Sequence, residues 1–472
     1  MAESFRIEKD SLGDVKIPAG AYWGTTTQRA LEVYAISGIR QHPAFIDAYV
    51  MLKMAAARAN KDGKAITAKQ AGAIEKACKE ILKGGLRDQF VVDVYQMGAG
   101  TSFHMNVNEV ISNRANELMG GKLGIYDQVN PNNHVNYGQS TNDTYPTAIR
   151  LSCLLMLRDH LDKPLAGLEK ALRAKAKEFD KVLKSARTHL QDAVPIRLGQ
   201  EFGAYAEAIK RCREFIAFAR KSVRELGIGG SAAGTGLNTA PGYREAIVHE
   251  LRKISGIDDL EPSLNMVEAM QSQRPIAELS GALRNLALEI SRINNDLRLL
   301  SSGPTTGFAE IVLPAVAPGS SIMPGKINPS VPEMCNMVCF DVIGNDTAIS
   351  WAVGGGQLEL NVMMPLMGFK MTSSIHILGS MITAMTERCI KGITANPKRC
   401  QMYAEGSMSI ATALNAYIGY KAASDVVKIA MKEEKTIIQV VRDQKLLTEA
   451  QIAKIMDPIA MTEPGVPGAG GG

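Results

Sequence analysis

Apolar residues recur at intervals of three and four along much of this chain, and short clusters of hydroxyl, amide, glycine and proline residues separate the periodic stretches. The clearest run is Leu279, Leu283, Leu286, Ile290, Ile293, Leu297 and Leu300. Its alternation of four and three is a heptad repeat, which predicts a long helix packed nearly parallel or antiparallel to others, from this chain or from further subunits. Leu154, Leu157, Leu161, Leu165, Leu168 and Leu172 predict a second long helix, bent at Pro164. Residues 45–83 are Ala-rich and helix-periodic, with breaks at Lys61-Asp62-Gly63 and Lys83-Gly84-Gly85. Another long helix is expected from about Pro332-Glu333 past Val342, and short helices over most of 360–455. Residues 1–45 mix strand-like and turn-like pieces. The tail from Glu463 to Gly472 has nothing to bury and is expected to be disordered.

Four polar breaks interrupt this helical pattern. In the first, Gly98 to Asn106, a glycine turn runs into a helix that Thr101 or Ser102 can cap; His104 follows with no partner nearby in sequence and reads as structural. The second, Asn130 to Asp143, is rich in amides and hydroxyls suited to Asx turns and to capping the next helix. The third is Arg187-Thr188-His189-Leu190-Gln191-Asp192 and the fourth Gly319-Ser320-Ser321-Ile322-Met323-Pro324-Gly325-Lys326-Ile327-Asn328-Pro329. Taken singly, each contains the residues of an ordinary turn. The glycine-rich stretch from 227 to 242 lies between helical segments without a preceding strand, so it reads as a loop and not as a dinucleotide fingerprint.

Composition narrows the classes. Hydrophobic residues at 46% and charged residues at 21% are those of a globular protein. Against 53 basic and 48 acidic side chains the net charge of +5 is small, and no Lys/Arg block tracks phosphates, so nucleic acid is not expected as a partner. No apolar run is long enough to span a membrane, and the first residues carry no secretory signal pattern. Seven scattered cysteines without a C-x-x-C pair or a zinc-spaced histidine read as reduced, buried thiols of a cytoplasmic protein. No metal-ligand set, Ser-His-Asp spacing or Walker loop is visible. If the four polar breaks converge, they form a site of neutral donors with a few cations, suited to acid/base chemistry on a small carboxylate.

The loop from Gly319 to Pro329 resembles the signature loop of the aspartase/fumarase superfamily, and Gly100-Thr101, Gln139-Ser140-Thr141-Asn142-Asp143 and Arg187 to Asp192 resemble its other site segments in the same order. The similarity runs from about Arg6 to Pro458. Within that superfamily the chain is most similar to the aspartate ammonia-lyases: Gly98-Ala99-Gly100-Thr101-Ser102, Thr141, Asn328 to Glu333 and Gln357 to Asn361 differ from the usual fumarase forms.

The resemblance implies an all-α fold of three domains, 1–142, 143–398 (a central bundle of long helices and the oligomer core) and 399–472. It implies a homotetramer with each site drawn from three subunits, and reversible deamination of L-aspartate to fumarate and ammonia with no metal and no organic cofactor. By the same resemblance, Ser320 is the base; Thr101, Ser140, Thr141 and Ser321 bind the β-carboxylate of the aci-carboxylate intermediate. Lys326 and Asn328, with Arg29, hold the α-carboxylate; Asn142, Thr188 and His189 position the amino group, and Glu333 orients His189. The alternatives are a fumarate hydratase or another lyase of the superfamily acting on a C4 dicarboxylate, and, from a different class, a non-catalytic helical oligomer. Two departures stand out. Phe103-His104 replaces the family's usual Thr-Asn beside the expected site, and Asn130 replaces a common histidine.

Overall fold

In the computed structural model, which describes residues 4–469, the chain opens with an antiparallel hairpin of β1 (Phe5–Asp10) and β2 (Gly13–Pro18) that buries Val15 and Ile17. Helix α1 (Thr25–Val33) has no capping side chain of its own. The buried Glu109 carboxylate does that work from another helix, accepting hydrogen bonds from Gly24 N, Thr26 N and Thr27 N. Helices α2 (Pro43–Asp62) and α3 (Ala68–Leu82) end at the glycine breaks read from the sequence. Pro43 sits in the first turn of α2, and a Thr67–Gln70 capping box starts α3. Small residues on α2, among them Ala55, Ala56 and Ala59, allow close packing on α3 and α5.

Helix α4 (Thr101–Leu118) starts behind Gly100, not behind a hydroxyl cap: Gly100 has φ of 92° and Thr101 is already helical. A Cβ at Gly100 would lie 2.1 Å from the Tyr145 ring, so glycine is needed there for space as well as for conformation. Helices α5 (Thr141–Met156) and α6 (Asp162–Glu178) are joined by a π-helical turn, Leu157–Leu161, just ahead of Pro164, whose missing N–H cannot continue the α-helical ladder.

Residues 183–197, read from the sequence only as a polar break, form a hairpin of β3 (Leu183–Thr188) and β4 (Gln191–Arg197). It leads into α7 (Leu198–Val223). The two-residue ladder of β5 (Glu225–Leu226) and β6 (Glu261–Pro262) brackets the glycine-rich loop and α8 (Tyr243–Ser255). Helices α9 (Met266–Gln271) and α10 (Arg274–Leu300) follow. The heptad residues of α10 are all buried within this one chain, so that seam needs no partner subunit. Strand β7 (Ile311–Val312) precedes α11 (Ser330–Gly354) and α12 (Met364–Arg388). The 25 residues of α12 correct the expectation of short helices after 360. Strand β8 (Thr394–Ala395) pairs with β7, and α13 (Pro397–Gly406), α14 (Asn415–Glu433), α15 (Ile437–Asp443) and α16 (Glu449–Ile455) finish the chain.

The fold is thus helical, with two-stranded ladders only among the described residues. In the tail, Tyr417 donates to Pro467 O (2.7 Å), and Arg197 pairs with Glu463. The last three residues of the expected disordered tail lie outside the described residues.

Two compact units make up the chain. One comprises Met1–Lys163, Glu214–Ala287 and Cys339–Gly379; the other comprises Pro164–Arg213, Leu288–Val338 and Ser380–Gly472. In the first, α2 is central and packs on α3, α5 and α8. In the second, α13 lies on β3, and the C-terminal helices close over Leu414, Val426, Val441 and Ile452.

Candidate active site

In the first unit the site is built on the N-terminus of α5. Ser140 caps the helix, its Oγ accepting from Asn142 N (3.2 Å), while Asp143 Oδ1 accepts from Ser140 N (2.9 Å). This capping box leaves the Thr141 and Asn142 side chains in the first turn, at the positive end of the helix dipole. Asp143 Oδ2 also accepts from Gly229 N (3.1 Å) and Ser231 N (3.0 Å), and Asn142 Nδ2 donates to Ala232 O (2.8 Å). The glycine-rich loop is therefore hydrogen-bonded to the start of α5. Burial pushes the Asp143 carboxyl up to about 7.

Behind Thr141 lies a fully buried ammonium. Lys53 Nζ is 2.9 Å from His104 Nε2, 3.0 Å from Asn136 Oδ1 and 2.9 Å from Gln139 Oε1. His104 Nδ1 is 2.6 Å from Thr141 Oγ1. Burial with no carboxylate in contact lowers Lys53 to about 7, and burial beside Lys53 holds His104 well below the usual imidazole range. Phe103 points the other way, its ring within 6.2 Å of the Phe45, Tyr49 and Phe90 rings. Of the residues that make up the first departure, Phe103 is core packing and His104 meets Thr141 directly.

In the second unit the loop from Gly319 to Pro329 is exposed over most of its length and closed on itself. Asn328 Nδ2 donates to Gly319 O, and a Cβ at Gly319 would lie 1.9 Å from Lys326 O, so only glycine permits the two ends to meet. Ser320 Oγ accepts from Ile322 N (3.2 Å) and Met323 N (2.9 Å). A cavity of about 650 Å³ opens beside the loop, lined by Arg298, Ser302, Lys326, Asn328 and Asn396.

Thr188 and His189 sit at the tip of the β3–β4 hairpin, where His189 (φ 56°) and Leu190 (φ 59°) both occupy the left-handed region. Two-residue hairpin turns need that conformation but ordinarily recruit glycine or asparagine, so this tip carries local strain. Deeper in the hairpin, Arg187 stacks over Phe308 (4.2 Å) and pairs with the buried Glu310 carboxylate (2.8 Å), which Lys184 also meets at 3.0 Å.

The structure thus brings Thr101, Ser140, Thr141 and Asn142 to helix starts in the first unit, and places Thr188, His189, Ser320, Ser321, Lys326, Asn328 and Glu333 in the second. Arg29 is engaged by Asp10, Nε to Oδ2 at 2.6 Å and Nη2 to Oδ1 at 2.8 Å. Among the described residues, His189 and Glu333 share no ion pair. Sequence reasoning passed over Lys53 and gave no role to Asn136 or Gln139. A lysine beside the run Met54-Ala55-Ala56-Ala57 of α2 was the available signal.

Residues 13–344 match the family described as Lyase, and residues 410–463 match Fumarase C C-terminus. An aspartate ammonia-lyase of Pseudomonas aeruginosa is 47% identical over 98% of this chain and 98% of its own. A fumarate lyase:delta crystallin structure from Brucella melitensis superposes with a TM-score of 0.94 at 45% identity, covering 98% of this chain and 100% of that one. A class II fumarase of Schistosoma mansoni has the same TM-score at 34% identity, covering 97% and 99%. Full-length similarity of this order, on a helical fold carrying all four motif segments, means that the chain belongs to the aspartase/fumarase superfamily of lyases, in its aspartate ammonia-lyase branch.

Proposed function

We propose that this protein is an aspartate ammonia-lyase that interconverts L-aspartate with fumarate and ammonia, with Ser320 as the base. The observation that carries the assignment of the base is the pair of backbone N–H groups, from Ile322 and Met323, that converge on Ser320 Oγ. A serine is a base only as its alkoxide, and donors already aimed at that oxygen stabilise the anion without reorganisation.

The reaction removes a weakly acidic proton from the carbon next to the β-carboxylate. Negative charge then accumulates on the carboxylate oxygens as the aci-carboxylate forms. Thr101, Ser140, Thr141 and Ser321 are its donors, supported by the helix N-terminus at Thr141, and loss of one such donor lowers kcat by ~10²- to 10³-fold in comparable sites. Lys326 and Asn328 hold the α-carboxylate. Arg29 assists only if its pair with Asp10 opens. Asn142, Thr188 and His189 position the amino group, with Glu333 orienting His189 once the site is assembled.

The working unit is a homotetramer in which three subunits contribute to each site, and the chain divides functionally into 1–142, 143–398 and 399–472. An exposed apolar stripe on α11 supports association: Phe340, Gly344 and Trp351 recur on one helical face, with Phe340 60% and Trp351 79% exposed. Seven free, buried cysteines support a cytoplasmic setting.

The test is to incubate purified protein with L-aspartate and, separately, with L-malate, following fumarate by ultraviolet absorbance. Fumarate from aspartate is expected. Fumarate from malate alone makes the chain a hydratase, and none from either removes this reading. Ser320→Ala is expected to abolish turnover with an unchanged circular-dichroism spectrum; near-normal kcat in that variant rejects Ser320 as the base.

A further inference from the structure

The buried Lys53 is the least ordinary group in the first unit, because its three contacts are all neutral acceptors and none is a carboxylate. As an ammonium it has only donors to offer, so His104 Nε2, Asn136 Oδ1 and Gln139 Oε1 all face it as acceptors, and Nε2 and Oδ1, 2.7 Å apart, share its charge. The all-donor character of Lys53 has a consequence for the imidazole. If Nε2 accepts from Lys53, the single ring proton of neutral His104 is on Nδ1, and Nδ1–H donates to Thr141 Oγ1 at 2.6 Å. Thr141 Oγ1 is then an acceptor toward the protein interior, and its own proton is free to point outward at the start of α5. The opposite tautomer reverses this. Nε2–H would donate to Asn136 Oδ1, 2.7 Å away, and Nδ1 would draw the Thr141 proton inward, removing the hydroxyl as an outward donor.

We propose that His104 is a positioning residue: held in its Nδ1–H tautomer by Lys53, it fixes the Thr141 hydroxyl as a donor toward the substrate carboxylate. This rests on the aspartate ammonia-lyase reading, which assigns that carboxylate to Thr141. The family's usual residue at this place, asparagine, has too short a side chain to reproduce a ring that meets Lys53 through one nitrogen and Thr141 through the other. His104 therefore couples a buried positive charge to the oxygen-binding group through its two ring nitrogens. The charge on the carboxylate grows as the proton leaves carbon, so a correctly aimed donor strengthens in the transition state and its loss falls on kcat more than on KM.

A double-mutant cycle of His104→Phe with Thr141→Val on L-aspartate tests this. Phe keeps the ring's packing against Tyr49 but removes both nitrogens. Wild-type fumarate production from L-aspartate is measured first; its absence sinks the functional reading itself. With an active wild type, His104→Phe is expected to lower kcat at least ~10-fold with KM changed less than ~3-fold. In the Thr141→Val background the same change is expected to cost less than ~2-fold, because the group it positions is gone. His104→Asn, which can still bond Thr141, is expected to recover part of the lost kcat. Multiplicative effects of the two substitutions, or a His104→Phe enzyme with kcat within ~2-fold of wild type, overturn the proposal. Should His104→Phe not fold, the cycle with His104→Leu, which likewise offers no hydrogen-bonding atom to Thr141, reads the same coupling against the same limits.

Discussion

Glu310→Gln is the perturbation that most directly probes how the hairpin bearing Thr188 and His189 is held. The Glu310 carboxylate is fully buried, with Oε1 2.8 Å from Arg187 Nη1 and Oε2 3.0 Å from Lys184 Nζ. Both cations belong to β3. The backbone of Glu310 is tied at either side, its N–H to Leu300 O (2.9 Å) and its carbonyl to Asn396 N (2.8 Å), so the carboxylate is a fixed post to which the hairpin is anchored. At ~3 Å and an effective dielectric constant of about 20, each pair is worth ~5 kcal/mol of attraction before desolvation is charged against it. Glutamine keeps the shape and one acceptor but removes the charge. Lys184 keeps Glu201 at 2.9 Å, whereas Arg187 keeps only a neutral acceptor and its stacking on Phe308 and Tyr403. One cation is thus left without an anion in a mostly buried place, a change that costs ~3–5 kcal/mol in comparable cases.

With an unfolding entropy of ~2 cal/mol/K per residue, a chain of 472 residues that melts cooperatively loses ~1 °C of Tm per kcal/mol, so a drop of ~3–5 °C is expected by circular dichroism. The strained turn at His189 and Leu190 depends on this anchoring, so kcat/KM for L-aspartate is also expected to fall, by ~10-fold. A Glu310→Gln variant with Tm within ~1 °C of wild type refutes the anchoring argument. A lower Tm with unchanged kcat/KM refutes its link to the site.

Two further outcomes follow from the geometry. Gly100→Ala places a methyl 2.1 Å from the Tyr145 ring at a backbone with φ of 92°, so it is expected to displace the start of α4 and lower kcat at least ~100-fold; activity within ~3-fold of wild type contradicts the packing described. His42 caps α2 through Nδ1, which accepts from Ala44 N (3.1 Å), and burial beside the His376 and His160 rings lowers it from 6.5 to about 4. The unfolded chain therefore binds a proton that the folded chain refuses between those values, and stability is full above pH 6.5 and lost as pH falls toward 4. Discounted for the half-exposed site, the loss is ~1–2 kcal/mol; His42→Asn, which keeps a cap, is expected to flatten urea midpoints between pH 7 and pH 5, and an unchanged slope rules His42 out as the cause.

What the sequence made legible follows the range of the forces involved. The seam of α10 is visible because one apolar side chain in every three or four faces the same way, and that periodicity is local. Helix α12 carries two interior glycines, Gly368 and Gly379, a residue type that weakens helix propensity. In the structure they mark close approach: a Cβ at Gly379 would lie 2.3 Å from His160 O, and one at Gly368 would meet Ile149 at 3.3 Å. The β3–β4 hairpin escaped notice because its turn is Thr188-His189-Leu190-Gln191, with neither glycine nor asparagine to announce it. The motif segments named Thr101, Ser140, Thr141 and Ser320, yet a motif does not tell which way Phe103 and His104 face. The Ala-rich setting of Lys53 hinted at burial but not at its partners, which lie 51 to 86 residues away in sequence.

The two buried charges near the start of α5 bear on the chemistry together. Desolvation lowers Lys53 to about 7 and raises Asp143 to about 7, opposite shifts with one cause, the exclusion of water from this neighbourhood. Neither group meets the other directly: Lys53 is held by neutral side chains, and Asp143 by the backbone N–H groups of Ser140, Gly229 and Ser231. The free energy of keeping both ions dry is met by preorganised dipoles. Those dipoles surround the helix start where Ser140, Thr141 and Asn142 stand. Donors in such surroundings act on a carboxylate more strongly than the same groups in water, and they need no rearrangement when its second negative charge develops. The burial that makes Lys53 and Asp143 costly to keep charged is thus what gives the hydroxyls between them their strength.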